Sequence, residues 1–352
     1  MKPVPIVYDD SIKKYSFPGT HPFKGSRFEK FIRYLKESKL VKEDLCKIIG
    51  FIGPPPSEEE LQLVHSPFYV RRVAEMSRSG IGLLSIDTPV FKGAYEAFLS
   101  ILHSTLSAYR AIASGEAEVA VGIGGGLHHA GRSYGEGFCI FNDVAIVAKY
   151  AQKEGFKKIF IFDYDAHQGN GTMDIFYSDP TVFYLSIHQD PLTLYPGTGF
   201  VEQVGVGEGE GYTCNIPLPP GAGRSCYERA IKEVFLPLVE CFKPDLIICN
   251  GGSDPHYNDP LTMLSLDLKG FWLIGRSIRE AADVAGAPAI DLIASGYDEE
   301  ILPRAWTCII AGIVSFEEEP CSEPPRELPE AASAFENTLR EVKQVMKRYW
   351  SI

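Results

Sequence analysis

Lys158-Ile159-Phe160-Ile161-Phe162-Asp163-Tyr164-Asp165-Ala166-His167-Gln168-Gly169-Asn170-Gly171 joins a run of consecutive apolar residues to a loop dense in Asp, His and Gly. A strand exposed on one side alternates apolar with polar residues, so four apolar positions in a row predict a strand buried on both faces. Similar runs recur at Val4 to Tyr8, Gly82 to Ile86, Val119 to Ile123, Val182 to Ile187, Tyr212 to Pro217, Leu246 to Asn250 and Ala289 to Ala294. Between them, Thr88 to Ser114, Asn142 to Gln152 and Arg224 to Phe242 carry apolar residues at helical spacing. Strands alternating with helices predict an α/β fold, a parallel sheet with helices on both faces. Loops rich in Gly, Asp, His or Tyr follow several strands, at the carboxyl ends where open α/β sheets bind ligands.

Composition narrows the function. The chain has 352 residues, 45% of them hydrophobic and 23% charged, enough for a sizeable core. Its 34 basic and 46 acidic side chains give a net charge of −12, which disfavours nucleic acid as the main partner. No apolar run reaches the length of a membrane span, and no signal-peptide pattern is present at Met1 to Asp10. Eight cysteines without a C-x-x-C pair read as buried free thiols of a cytoplasmic protein. Residues 1–316 form the main domain in this reading. Residues 317–330 form an acidic, proline-rich linker, and 331–352 a docked amphipathic helix with Phe335, Leu339, Val342, Val345, Met346 and Tyr349 on its apolar face.

Asp165 and His167, two positions apart at a strand end, point to one side and can share a cation, and Asp254, just beyond another strand, is the natural third ligand. Two carboxylates and one imidazole leave a coordination position open, the pattern of a catalytic metal. The alternative is a pair of turn residues held by local hydrogen bonds. Gly122-Ile123-Gly124-Gly125-Gly126-Leu127-His128-His129 lacks the third glycine of a dinucleotide loop, whereas its paired histidines suit acid–base work. Tyr297, after the last strand, offers a phenol to an oxyanion.

Taken together these segments resemble the histone deacetylase superfamily, most closely its bacterial and archaeal acetoin-utilisation-type deacetylases. His128-His129-Ala130, Gly137-Phe138-Cys139, Asn142-Asp143, Asp163-x-Asp165-x-His167, Gly252-Ser253-Asp254, Asp259-Pro260 and Gly296-Tyr297 occur in the family's order. The resemblance implies the arginase–deacetylase fold with an eight-stranded, mainly parallel sheet. It implies one zinc ion on Asp165, His167 and Asp254, with His128 and His129 above it. Asp163 matches the partner of His128, Asn170 the partner of His129, and Tyr297 the oxyanion donor. Phe138 and Tyr195 match the walls of an acyl tunnel, Leu261 its rim, and Asp87 a carboxylate that grips substrate backbone. A monovalent cation, potassium, is implied at Ser186, Ile187 and the carbonyls of Asp163, Asp165 and His167, and a second at Phe176, Asp179, Val182 and Tyr212.

Departures from the family pattern are Gln168 in place of a second His, Asn170 where many members have Asp, the Ala294-Ser295-Gly296 lead-in to Tyr297, and the segments Ser16 to Thr20 and Lys24 to Arg27. The implied reaction is hydrolysis of the acetyl amide of an acetylated lysine protein or a small acetylated amine, with room for a homo-oligomer. Two rivals are an arginase-type amidinohydrolase, whose second Asp of a D-x-D pair is missing from Asp254-Pro255-His256, and an idle deacetylase-fold protein that binds acylated ligands.

Overall fold

The computed structural model describes residues 2–316, 322–324 and 331–352. Its ten strands are β1 (Val4–Val7), β2 (Cys46–Ile49), β3 (Leu83–Ser85), β4 (Thr88–Pro89), β5 (Val119–Ile123), β6 (Ile159–Asp163), β7 (Val182–Gln189), β8 (Thr213–Leu218), β9 (Leu246–Gly252) and β10 (Ala289–Ser295). Eight of them make one sheet in the order β2-β1-β5-β10-β9-β6-β7-β8. Every neighbouring pair in it runs parallel, in keeping with the eight-stranded parallel sheet expected. All residues of β5, β6, β7, β9 and β10 are buried. Successive side chains point to opposite faces, so both faces of the central sheet are covered by helices.

The eighth strand is not the one that the apolar runs predict. Gly82 to Ile86 does not join the sheet: β3 and β4 pair only with each other, antiparallel, and Ile81, Leu83 and Ile86 face solvent. The true eighth strand, β2, is a short, partly exposed edge with Lys47 at its centre, too brief and too charged to read as a core run. Because Thr88 and Pro89 belong to the hairpin, the helix expected from Thr88 begins only at Ala94 and runs to Ala113. Arg224 to Phe242 is helical throughout, but a π turn at Ile231–Phe235 precedes Pro237, which has no N–H for an ordinary helical bond.

The helix Leu268–Ala285 packs on Leu302–Ile313, and Ala94–Ala113 covers β5 and β1. The helix Ala332–Met346 lies against β8 with Phe335, Leu339, Val342, Val345 and Met346 buried, and Trp350 Nε1 donates to the Gly211 carbonyl at 2.6 Å. Of the 317–330 linker, residues 317–321 and 325–330 lie outside the described residues. Glu323 does not hang in solvent: its carboxylate accepts hydrogen bonds from the Leu268 amide (2.7 Å) and the Tyr257 hydroxyl (2.8 Å). Among the described residues the thiols of Cys46, Cys139, Cys214, Cys241 and Cys249 are free, whereas Cys308 is disulfide-bonded, against the reading of every cysteine as a free thiol. Among the described residues no helix is long and apolar enough to cross a membrane.

Candidate active site

Four adjacent strands, β5, β10, β9 and β6, end at one buried cluster. The loop after β5 is shaped from beneath by Asp143, whose carboxylate accepts from the amides of Gly126 and Leu127 and from Thr105 Oγ1. A Cβ at Gly125 would lie 2.5 Å from Thr105 Oγ1 and 2.7 Å from Asp143 Oδ2, so close packing on Asp143 accounts for this glycine. The turn delivers His128 and His129 into the pocket.

Asp165, His167 and Asp254 each present one donor atom, all within 4.8 Å of one another. His167 Nδ1 lies 3.2 Å from Asp165 Oδ1 and 2.9 Å from Asp254 Oδ2. Ser295 Oγ steadies Asp254 by donating to Oδ1 at 2.9 Å. Burial, and then the charge of Asp165, push Asp254 up to about 8. Asp165 stays well below the usual carboxylate range despite its burial, because His128 and His167 stand beside it. Burial also opposes charge on His167, yet hydrogen bonds to Asp165 and Asp254 raise it to about 10. Two buried carboxylates and one imidazole converge on one point, where in the metal-free protein they share protons across short hydrogen bonds. An O, N, O donor set with an open side therefore fits a divalent ion such as zinc.

The neighbouring pair is wired differently. His128 Nδ1 lies 2.8 Å from Asp163 Oδ2, which also accepts from the Tyr184 hydroxyl at 2.9 Å. His129 Nδ1 lies 2.8 Å from Asn170 Oδ1, and the two imidazoles meet Nε2 to Nε2 at 3.1 Å. Burial works against charge on His128, but Asp163 and Asp165 prevail and raise it to about 9. An ion on Asp165 would draw off part of that field. For His129, burial and the neighbouring His128 both act downward, and its pKa falls well below the ordinary imidazole value. One histidine is held charged and the other neutral.

Both rings, Asp165, His167, Phe138 and Tyr297 line one cavity. Burial keeps the Tyr297 phenol protonated and hence a donor. Its backbone is fixed by Asp259 Oδ2, which accepts from the Tyr297 amide at 2.8 Å, and its ring lies 5.8 Å from Phe138. In the lead-in, Gly296 has φ +125°, and a Cβ there would fall 1.9 Å from Ser253 Oγ, so only glycine fits. Tyr195 stands edge-on to His129 at 5.2 Å, half-exposed like Leu261. Asp87 is occupied locally: Oδ1 accepts from Gly137 N (3.2 Å), Thr88 Oγ1 and Ser85 Oγ.

The positions matched to monovalent cations fare unequally. Asp163 pairs with Ser186 across β6 and β7, bringing those residues and Ile187 beside Asp165 and His167, although Ser186 Oγ is also bonded to His188 Nδ1 at 2.8 Å. At the second set a cation from the chain itself is present. Lys149 Nζ sits 2.7 Å from Asp179 Oδ2 and 5.0 Å over the Phe176 ring, while the Phe176 and Tyr212 carbonyls accept from Asp179 N and Tyr184 N, and Val182 N donates to the Asp179 carbonyl.

Sequence reasoning gives no role to Ser295, Asp143, Arg27 or Glu136. Arg27, buried, donates to the carbonyls of Ala294, Pro22 and Lys24 and lies 5.0 Å over the Tyr297 ring. Asp143 and Ser295 stand in or beside the family-ordered motifs, which do not say what they hold. Nothing in the sequence marks Glu136, whose Oε1 accepts from Asn170 Nδ2 at 2.6 Å.

A parallel α/β sheet of eight strands with this cluster at its carboxyl edge is the arginase–deacetylase architecture. The histone deacetylase domain family matches residues 21–313, and the chain belongs to that family. It is 35% identical over 356 residues to a probable deacetylase of Archaeoglobus fulgidus, covering 98% of each chain. It is 37% identical over 322 residues to the acetoin utilization protein AcuC of Bacillus subtilis, covering 86% of this chain and 80% of that one. Among solved structures, the HD domain of HDA15 superposes with a TM-score of 0.87 at 26% identity, covering 99% of this chain and 96% of that one. Family and relatives together make the chain a hydrolase of the deacetylase type.

Proposed function

We propose that the chain is a zinc-dependent deacetylase that hydrolyses the acetyl amide of an acetyl-lysine protein or a small acetylated amine. The observation that carries this reading is the pairing, in one cavity, of a two-carboxylate, one-imidazole cluster with a neutral imidazole, His129, and a protonated phenol, Tyr297. Zinc on Asp165, His167 and Asp254 would supply Lewis acidity to water and to the acyl oxygen.

The side chains do the rest. His129, neutral and with Nδ1 tied to Asn170, presents Nε2 as the base that takes a proton from attacking water. The same nitrogen then returns that proton to the departing amine, which leaves poorly unless protonated. His128, held charged by Asp163, places positive charge beside the reacting centre. Tyr297 donates to the oxygen on which charge develops. Phe138 and Tyr195 flank the acyl group, with Leu261 and Asp87 at the mouth. Potassium at the Ser186–Ile187 position would steady the β6 and β7 ends.

His256 bears on the arginase-type alternative, because its Nε2 faces Glu323 Oε2 at 3.3 Å and its Nδ1 accepts from the Asn258 amide. With both ring nitrogens engaged there, His256 stands outside the ligand cluster and offers no second metal a free nitrogen. The cytoplasmic assignment is supported by the free cysteines, while the Cys308 disulfide weighs against it. The test is acetate release by purified, zinc-loaded protein from a fluorogenic acetyl-lysine peptide and a panel of small acetylated amines. Stoichiometric ligand binding without turnover on any of them would leave a binding protein in its place.

A further inference from the structure

We propose that Glu136 is a positioning residue for His129, acting through the side-chain amide of Asn170. The inference rests on the reading of His129 as the proton carrier. A carboxamide has an accepting end and a donating end, and a half-turn exchanges them at almost no steric cost. With Oδ1 toward His129 at 2.8 Å, the Nδ1 of that imidazole carries the hydrogen and Nε2 keeps its lone pair toward His128 and the cavity. With the amide reversed, the tautomer reverses as well, and the base is lost.

The surroundings of Nδ2 select between the two. Glu136 Oε1 accepts from it at 2.6 Å. Tyr134 also contacts Asn170, and its hydroxyl hydrogen is already donated to Asp174 Oδ2 at 2.9 Å, so toward Asn170 this oxygen only accepts. Two acceptors thus face the donating end, and the reversed amide would set its oxygen against both. Glu136 also meets the Tyr195 phenol, and its route to the proton carrier is the hydrogen bond to Asn170 Nδ2, one side chain removed from His129. A family member with Asp in place of Asn170 would need no such device, because either carboxylate oxygen accepts.

The full zinc-loaded chain is compared with Glu136→Gln, Asn170→Asp and the double variant. Glutamine can donate as well as accept, which frees the amide to turn, so Glu136→Gln lowers kcat roughly tenfold with zinc content unchanged and KM within about twofold. Asn170→Asp alone also lowers kcat, because it sets a second carboxylate against Glu136. In the double variant the carboxylate introduced at position 170 offers oxygen to His129 without that repulsion, and kcat returns to within about threefold of wild type, where a merely structural role would make the losses add. Nitrogen-15 NMR of the imidazoles reads the same point without turnover: His129 is the Nδ1–H tautomer in the wild type and a mixture in Glu136→Gln. An unchanged tautomer together with kcat within about twofold of wild type in Glu136→Gln, or a double variant no better than its parents, overturns the proposal. Absence of turnover in the wild type would instead strike at the deacetylase reading, with the tautomer measurement still standing.

Discussion

His167 and His129 lie 6.1 Å apart, ring centre to ring centre, in the same buried pocket, yet their surroundings drive them in opposite directions. His167 sits between two carboxylates and is raised to about 10. His129 faces an amide and a charged imidazole and is pressed well below the ordinary value. Burial alone would lower both. Neighbours decide, so the same side chain is suited on one side of the pocket to a cation site and on the other to carrying a proton. The carboxylate-rich half holds protons that a metal ion would displace; the histidine pair is fixed by hydrogen bonds to Asp163 and Asn170.

The most severe way to break this contrast is Asp254→Ala. Removing one of two carboxylates leaves an incomplete donor set, so zinc and activity are both lost, by about a thousandfold or more in kcat/KM on the scale of catalytic metal removal. Metal analysis showing full zinc retention would take Asp254 out of the ligand set. Next comes His129→Ala, expected to lower kcat roughly a thousandfold with zinc retained, whereas His128→Ala, which removes a neighbouring charge and not the base, costs about tenfold. Equal, mild losses in the two would count against a division of labour. Tyr297→Phe keeps ring and packing while deleting the donor, so kcat falls roughly a hundredfold and inhibitor affinity holds within a few-fold. Near wild-type turnover of that variant would shift oxyanion stabilisation to the metal and the histidine pair.

Much of this arrangement is legible in the sequence. Continuous apolar runs such as Ile159 to Phe162 have few homes other than a doubly covered parallel strand, and the polar residues that follow them must lie at its carboxyl end. The edges are harder to read: Cys46–Ile49 is a strand because β1 offers it hydrogen bonds, while Gly82 to Ile86 has strand composition but no neighbour in the sheet. Within the site, ligand types at fixed spacing are legible, but partners distant in sequence are not. Glu136 meets Asn170 across 34 positions, and Lys149 reaches Asp179 across 30, contacts that no local pattern announces. The partners of the two histidines are different, since the family resemblance, and not any local pattern, matches Asp163 to His128 and Asn170 to His129.

The smallest effect expected is also a direct measure of the contrast between the two halves. In the metal-free protein, Asp254 is raised to about 8 and His167 to about 10, so at neutral pH the cluster holds protons on atoms that must present lone pairs to an ion. Binding therefore expels protons, and the sign follows: affinity weakens as pH falls, because protons compete with zinc. Asp254 and Asp165 share one site and titrate together, so between one and two protons leave per ion. Lowering the pH from 7 to 6.5 should then weaken zinc affinity roughly three- to tenfold, with the slope flattening above about 8 as Asp254 gives up its proton. His129, already neutral, contributes nothing, and His129→Ala should keep the slope. Competition against a chromophoric chelator at several pH values measures it. A slope near zero between pH 6 and 7.5 would mean that the donors are deprotonated before the ion arrives, and that the two halves of the pocket differ less in charge than their hydrogen bonds imply.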